Sequence, residues 1–483
     1  MDEHRLAALL AGWDRAGGPL KSSMAAAVRS LISSGDLPPG VRLPSERRLA
    51  DALSVSRGTV VAAYDELRSD DLLRSRQGSG TVVAGAPLRV GGPIGRAGLS
   101  TVLAPGILGV DLGPSAIDLR VAGWSSADDL PRAAFVDASR KLAASPEGHG
   151  CWPAGLPALR ASIAARLTAQ GLATDVDEVL VTTGAQQAIH LVAQLALRPG
   201  DAVATEAVTY LGALDVFAAV GARAVAITCG RHGIEPASAA SVFATAKPRL
   251  LYSMPGFNNP TGVVTTLASR QKVLRDAAAH GVLVVDDQAV METWFGAPMP
   301  AMLGALADDA GDPTRVITIG SLSKIVWGGL RVGWVRASRS IIDPLTRLKG
   351  LSDLGSSVPS QLVAAQLVDR LDELRDGRLP EIRRRRDALV AELRTQLPEW
   401  KFTVPNGGLA LWVDIGSDAA SFAAVAAGHG VGVLAGAASS ADGSHTTHLR
   451  LGYGLAPERL AEGVRRLAVA WAGRDIGGYQ AVV

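Results

Sequence analysis

The sequence predicts a multidomain protein: a small α+β head, then an α/β body with a mostly parallel central sheet, closed by a smaller α+β domain. Three observations predict this. At 483 residues the chain exceeds one compact core. Its composition, 48% hydrophobic and 19% charged, is that of a folded chain rather than a disordered one. The residue pattern also changes along the chain. Short helical stretches rich in Arg and Ser come first, alternating apolar and amphipathic runs follow from about 111, and long charged helices with shorter strands begin after about 355.

A formal charge of +2 excludes a polybasic protein, so any contact with nucleic acid must come from local placement of charge. Two cysteines, Cys151 and Cys229, make neither a disulfide framework nor a metal cluster and fit a reducing cytosol. No stretch approaches the ~18–20 apolar residues of a membrane span. The acidic start "MDEHRLAALLAGWDRAGG" is a poor signal peptide, so a cytoplasmic location is expected.

Residues 1–18 place Leu6, Leu9, Leu10 and Trp13 at i, i+3, i+4 and i+7, one face of a short helix packed on the next domain. Residues 19–84 form that domain. A helix carries Met24, Val28, Leu31 and Ile32 on one face and stops at Gly35 and "PPG". A second begins at "LPSERRLADAL", with Ser45 as N-cap and Glu46 complementing the helix dipole. A tight turn at Ser54-Val55 leads to a third, in which Val60, Ala63, Tyr64 and Leu67 share a face and leave Arg57, Gly58 and Thr59 exposed at its start. Two helices about a brief turn, the second offering its first residues outward, is helix-turn-helix logic. "LLRSRQGSGTVVA" then predicts a hairpin wing, with Arg74 and Arg76 before the tip at Gly78-Ser79-Gly80. Nine Lys/Arg against seven Asp/Glu between 17 and 84 would not by itself indicate DNA, and a small protein-interaction domain would fit the bulk charge as well. Position decides: the arginines lie on the segments that would approach a duplex, and the acids Asp65, Glu66, Asp70 and Asp71 lie at the far end of the third helix.

The stretch "LPPGVRLPSERRLADALSVSRGTVVAAYDELRSDDLLRSRQGSGTVV" resembles the winged helix-turn-helix of the GntR family of bacterial regulators, nearly without gaps over some 65 residues. The resemblance implies binding to double-stranded operator DNA. Backbone contact falls to Arg42, Ser45, Arg47, Arg76 and the wing glycines Gly78 and Gly80. Base-edge readout falls to Arg57, Gly58 and Thr59.

Residues 85–110, rich in Gly and Pro and nearly free of acid, predict a linker. Residues 111–474 form the body, its large part at about 150–345 and its small part at about 355–474. The residues "GSLSKIVWGGLRVGW" (320–334) place Lys324 where a buried strand meets a turn. A buried lysine has a lowered pKa, and a neutral amine attacks an aldehyde. The natural partner is pyridoxal 5′-phosphate (PLP), whose site needs a recognisable set of parts. "VTTGAQQAIHL" leaves a strand and opens a helix, turning the N–H groups of Gly184, Ala185 and Gln186 toward an anion. "NNPTG" offers Asn259 as a donor, and Tyr210 follows a strand as a stacking ring. "VLVVDD" ends a buried strand with two acids, of which strand alternation lets one face the pyridine nitrogen; Asp286 is assigned to it and Asp287 to the opposite face. Ser321 and Ser323 supply hydroxyls, and Arg331 a bidentate phosphate clamp.

Jointly, in this order and spacing, these residues resemble the fold-type I aminotransferases over roughly 360 residues. That resemblance implies the PLP-dependent transferase fold, Lys324 as the Schiff-base lysine, and Arg450 in "HLRLGYG" as the holder of an amino-acid carboxylate. A GntR-like head joined by a linker to such a body resembles the MocR subfamily of PLP-dependent regulators. This implies a homodimer, arranged head to tail, whose body senses PLP itself or a small amine or amino acid. Two departures bear on chemistry: Gln288 and Ala289 stand where the family has a tyrosine two or three residues after the first strand-end Asp, and Trp152 replaces another tyrosine. Both favour a sensor over the alternative, a working aminotransferase carrying a DNA-binding head.

Overall fold

The computed structural model describes residues 3–10, 13, 20–34, 37, 41–70, 72–76, 80–83, 115–123, 132–144, 149–296 and 298–473. The expected linker at 85–110 and the wing residue Gly78 lie outside them, and Arg76 is described only in its backbone. The chain divides into two compact units, Met1–Pro93 and Ile94–Val483. Among the described residues no helix is long and apolar enough to cross a membrane.

The first unit contains α1 (Glu3–Leu9), α2 (Leu20–Ser34), α3 (Glu46–Leu53), α4 (Arg57–Ser69) and an antiparallel hairpin of β1 (Leu73–Arg76) and β2 (Gly80–Val83). Leu6 and Leu10 enter the same core as Met24, Val28, Leu49, Val60, Tyr64 and Leu67, so α1 completes the helical cluster rather than standing apart from it. Arg42 forms an isolated antiparallel bridge to Val82, which lays the segment before α3 against β2.

The second unit opens with β3 (Ile117–Asp118), α5 (Arg132–Ala144) and α6 (Pro157–Ala169). Then come β4 (Val179–Thr182), α7 (Ala185–Ala196), β5 (Ala202–Glu206), α8 (Leu211–Ala219), β6 (Arg223–Ile227) and the short hairpin β7 (Cys229–Gly230) with β8 (Gly233–Ile234). They are followed by α9 (Pro236–Ala246), β9 (Leu250–Ser253), α10 (Leu267–Ala279), β10 (Leu283–Asp287), α11 (Leu303–Ala310), β11 (Val316–Ser321) and β12 (Gly333–Arg336). Seven strands make one sheet in the order β4-β12-β11-β10-β9-β5-β6. Only β12 runs antiparallel to its neighbours. Strands such as β4, β5, β9 and β11 are buried along their whole length, as the unbroken apolar runs require of a sheet covered on both faces. On one face Val285, Ile317, Ile319 and Val335 pack against α7 and α8; on the other Leu251, Val284 and Val316 pack against α9, α10 and α11.

The chain then forms α12 (Arg339–Asp353), α13 (Val358–Asp369), α14 (Leu371–Gln396), β13 (Lys401–Phe402), β14 (Ala410–Asp414), α15 (Ala419–Gly428), β15 (Val431–Gly432), β16 (Leu434–Ala435), β17 (His448–Gly452) and α16 (Pro457–Gly473). A four-stranded antiparallel sheet, β13-β14-β17-β16, carries the smaller core with α14, α15 and α16. The break between the two cores falls at α14, because Val358, Val363 and Ala364 of α13 pack with Leu159 and Ile163 of α6. β3 lies far earlier in the chain, yet it pairs with β15 and puts Ile117 and Leu119 into the smaller core.

Candidate functional site

In the head, Ser45 caps α3 by accepting from the Arg48 amide at 3.5 Å, and Ser54, in the left-handed region at φ 54°, ends it. Ser56 caps α4 by accepting from the Thr59 amide at 3.1 Å, and its hydroxyl lies 2.8 Å from that of Thr59. These caps set Arg57 and Gly58 at the exposed start of α4. Arg42, Arg47, Arg57 and Arg74 are exposed, and among the described residues none of them forms an ion pair. Arg29 and Arg68 are different: Arg29 pairs with Asp70 and Glu66, and Arg68 with Asp65 and Glu46. The arginines without an ion pair among the described residues thus lie before α3 (Arg42), at the start of α3 (Arg47), at the start of α4 (Arg57) and on β1 (Arg74).

In the body, a cavity is lined by Ala122, Phe257, Asn258, Asn259, Pro260, Val290, Lys324, Gly408, Leu409 and Ala410. Lys324 is half-buried as a residue, and its amine is enclosed and donates to the Ala122 carbonyl at 2.7 Å. Burial, reinforced by the Arg450 guanidinium, lowers its pKa to about 8, while Asp287 pulls the other way. Tyr210, at the start of α8, is pushed above its ordinary range by burial and then by Asp287, with Arg450 and Arg331 opposing. Lys324, Asp287, Tyr210, Arg331 and Arg450 therefore form one electrostatic cluster.

Gly184, at φ 99°, begins α7; a Cβ there would lie 3.1 Å from Arg331 Nη2. Arg331 is exposed and donates to the Thr183 carbonyl at 2.5 Å. The first N–H groups of α7, from Ala185 and Gln186, open beside this guanidinium, an arrangement suited to an anion. Gln186 donates to the Gly212 carbonyl at 2.9 Å, and its buried Oε1 has no partner among the described residues. Arg450, on β17, is buried, donates to the Arg120 carbonyl at 3.0 Å, and has its pKa lowered by burial to about 10. Its Nε has no partner among the described residues.

Asp286 does not face Lys324. It lies on the opposite face of β10, accepting from Gln288 Nε2 at 2.5 Å and from the Leu303 amide at 2.7 Å, and burial raises its pKa to about 6. Asp287 is the acid on the lysine's side. It accepts from Tyr252 Oη at 2.5 Å and from the Ala289 amide at 2.8 Å, and burial raises its pKa. Alternation separates the two acids as expected, but the lysine's face is the one that carries Val285, so the parity selects Asp287. Gln288, bound to Asp286, is likewise turned away from Lys324, and the side chain that lines the lysine's cavity after Asp287 is Val290. Ser321 donates to Ser323 Oγ at 3.1 Å and lines a different cavity, with Gln288. Tyr252, Val290 and the carbonyls of residues 120–122 were not singled out from sequence. Tyr252 sits in a plain apolar run, and the 120–122 segment is some 200 residues from the lysine.

The donor set fits PLP. An amine with a lowered pKa, a buried acid across from it, an aromatic ring, and an anion cradle at Gly184 beside Arg331 stand together, and Gln186 Oε1 and Arg450 Nε have no hydrogen-bond partner among the described residues.

Residues 125–467 match the family of aminotransferases class I and II, and residues 20–83 match the bacterial regulatory proteins of the gntR family. The chain is 35% identical over 315 residues to a 2-aminoadipate transaminase of Thermus thermophilus, covering 64% of this chain and 77% of that one. It is 30% identical over 401 residues to the probable rhizopine catabolism regulatory protein MocR of Rhizobium meliloti, covering 79% and 78%. Among solved structures, the crystal structure of LysN, the alpha-aminoadipate aminotransferase of Thermus thermophilus complexed with N-(5′-phosphopyridoxyl)-L-leucine, superposes with a TM-score of 0.69 at 30% identity, covering 74% of this chain and 92% of that one. With a gntR-type head at one end and a class I and II body filling most of the rest, the chain belongs to the MocR-type transcriptional regulators.

Proposed function

We propose that this protein is a PLP-dependent, DNA-binding transcriptional regulator whose body senses PLP or an amino compound and whose head reads operator DNA. It works as a cytoplasmic homodimer, with heads and bodies arranged head to tail. Arg57, Gly58 and Thr59 read base edges, while Arg42, Ser45, Arg47, Arg76, Gly78 and Gly80 hold the backbone.

When bound, PLP supplies an aldehyde carbon that either Lys324 or an incoming amine can bond. The rest is done by this chain. With its pKa near 8, Lys324 keeps a substantial neutral fraction at neutral pH, where an ordinary lysine keeps almost none. Asp287, held by Tyr252, faces the cluster and would keep a proton on the pyridine nitrogen. Gly184, Ala185, Gln186, Ser323 and Arg331 would hold the phosphate, Asn259 the phenolic oxygen and Tyr210 the ring face. Arg450 would hold a carboxylate on the effector.

One observation carries the sensing role. The Lys324 amine and the Arg450 guanidinium both donate to carbonyls of one short segment, Ala122 and Arg120. That segment follows the linker in the chain, and β3 just before it is built into the smaller core. A ligand that engages Lys324 and Arg450 draws both donors from the segment leading back to the head, which gives it different affinities for two arrangements. Candidate amines titrated in parallel against the visible absorbance and operator binding test this. One amine should move both with the same midpoint; amines that change the spectrum without ever changing DNA affinity would refute it. A catalytic reading is favoured by the likeness to the 2-aminoadipate transaminase and opposed by Val290 and Ala289. Turnover with a keto-acid acceptor at about 1 s⁻¹ or above would establish it.

A further inference from the structure

A second cavity, of about 130 Å³, lies in the body, on the face of the central sheet that carries Asp286 rather than Asp287. Its walls are Thr318 of β11 and Trp334 of β12, whose strand neighbours Ile317, Ile319 and Val335 point to the other face. Leu167 and three methionines, Met291, Met299 and Met302, form its apolar side. Met299 and Pro300 are half-buried and Ala301 is exposed, so the cavity reaches the surface at that rim.

Four buried polar atoms on its lining have no hydrogen-bond partner among the described residues: Gln288 Oε1, Glu292 Oε2, Thr318 Oγ1 and Trp334 Nε1. Gln288, Thr318 and Trp334 are each at least nine-tenths buried. Such groups cost free energy unless something in the cavity bonds them. One water needs roughly 10–15 Å³ of such space, so the volume exceeds one or two bridging waters. Methionine walls adapt readily to an apolar guest.

The polar atoms also state what the guest must be. Two can only accept, one can only donate, and the Thr318 hydroxyl can do either. A ligand therefore needs more donors than acceptors at its polar end. Charge is already matched: Glu292 Oε1 pairs with Arg166 at 2.7 Å, and Arg375 lies 3.8 Å from Oε2. A cation would meet these two guanidiniums, and an anion would meet the Glu292 and Gln288 oxygens. We propose that this cavity is a second small-molecule site, taking an uncharged, donor-rich head such as a primary carboxamide on a short apolar tail. Its N–H groups satisfy Gln288 and Glu292, its carbonyl accepts from Trp334 and from the Thr318 hydroxyl, and its tail lies on the methionines. The proposal does not depend on what Lys324 binds.

Butyramide is the probe, with butyrate as a control of the same size. In solution, butyramide should raise the unfolding midpoint of the full-length protein saturably and butyrate should not. Soaked crystals should show the amide against Gln288 and Trp334. Thr318→Val, which removes a hydroxyl at nearly constant shape, should weaken butyramide about tenfold, one lost buried hydrogen bond, and Trp334→Phe, which removes the N–H and also enlarges the cavity, at least as much. Soaked wild-type crystals with only water in the cavity would overturn the proposal, even if the variants fail to fold. Equal binding of butyrate, or variants that bind butyramide as wild type does, would overturn it too.

Discussion

Arg57 and Arg450 are the same residue type in opposite settings. Arg57 stands exposed at the start of α4 with no ion pair among the described residues, beside three other arginines in the same condition. Arg450 is buried in a strand of the smaller sheet, its pKa lowered to about 10 and its Nε without a hydrogen-bond partner among the described residues. An exposed cation keeps its hydration and acts at a distance, so it suits a polyanion met over a broad surface, at the cost of sensitivity to salt. A buried cation acts only at contact, and lacking a partner it is costly until an anion arrives. The head is built to be steered, the body to be filled.

The largest effect belongs to Lys324. Lys324→Ala should reduce the visible absorbance and the borohydride-fixed cofactor to background, and an unchanged spectrum would refute the assignment. Because burial lowers the amine's pKa to about 8, its reactive neutral form should grow about tenfold from pH 6 to pH 7 and level off above about pH 8. The rate of PLP uptake by cofactor-free protein should follow. The sign for stability is the same: the unfolded chain binds the proton more tightly between about pH 8 and the ordinary lysine value, so cofactor-free protein should gain stability as pH rises through that window.

Next come the two acids. Asp287→Asn removes the charge facing Lys324 and should weaken PLP retention on the order of 100-fold, the scale for breaking a buried charge pair. Asp286→Asn, on the other face, should change retention by less than about threefold, since its partners Gln288 and Leu303 belong to the second cavity's side. The reverse ranking would restore the assignment made from alternation alone.

Those acids show what is legible in such a sequence. In the head nearly everything that matters is local. Ser45 and Ser56 cap helices within three residues of themselves, and Val60, Ala63, Tyr64 and Leu67 repeat at helical spacing, so the motif can be read without knowing the rest. In the body the parts were legible but their faces were not. "VVDD" says that one acid points each way; which way the lysine lies depends on β11, the next strand in the sheet and about thirty residues on. The Ala122 and Arg120 carbonyls were beyond reach altogether, because a backbone acceptor has no residue-type signature and these meet their donors across 202 and 330 positions. The same holds for Gln288, which stands near the expected tyrosine position yet serves Asp286.

Arg57→Ala should weaken operator binding about tenfold or more, the scale of one base-reading arginine, and leave the absorbance intact. Loss of sequence preference should accompany it. Retained operator affinity would count against α4 as the reading helix.

The smallest effect is the most telling for the contrast between paired and unpaired cations. Arg47 is exposed without an ion pair among the described residues, whereas Arg68, on the neighbouring helix, is engaged by Asp65 at 2.5 Å and Glu46 at 3.1 Å. A cation that neutralises a phosphate releases a counterion, so removing it should flatten the slope of log affinity against log salt by ~0.9. A cation already neutralised within the protein has no counterion to release from DNA. Arg47→Ala should therefore weaken all sequences alike, less than Arg57→Ala weakens the operator, and reduce the salt slope by about one. Arg68→Ala should leave the slope unchanged while loosening the wing, because Arg68 also donates to Thr81 of β2 at 3.1 Å. If both variants flatten the slope equally, the ion pairs of α4 open on binding, and the division of the head's arginines into free and spoken-for fails.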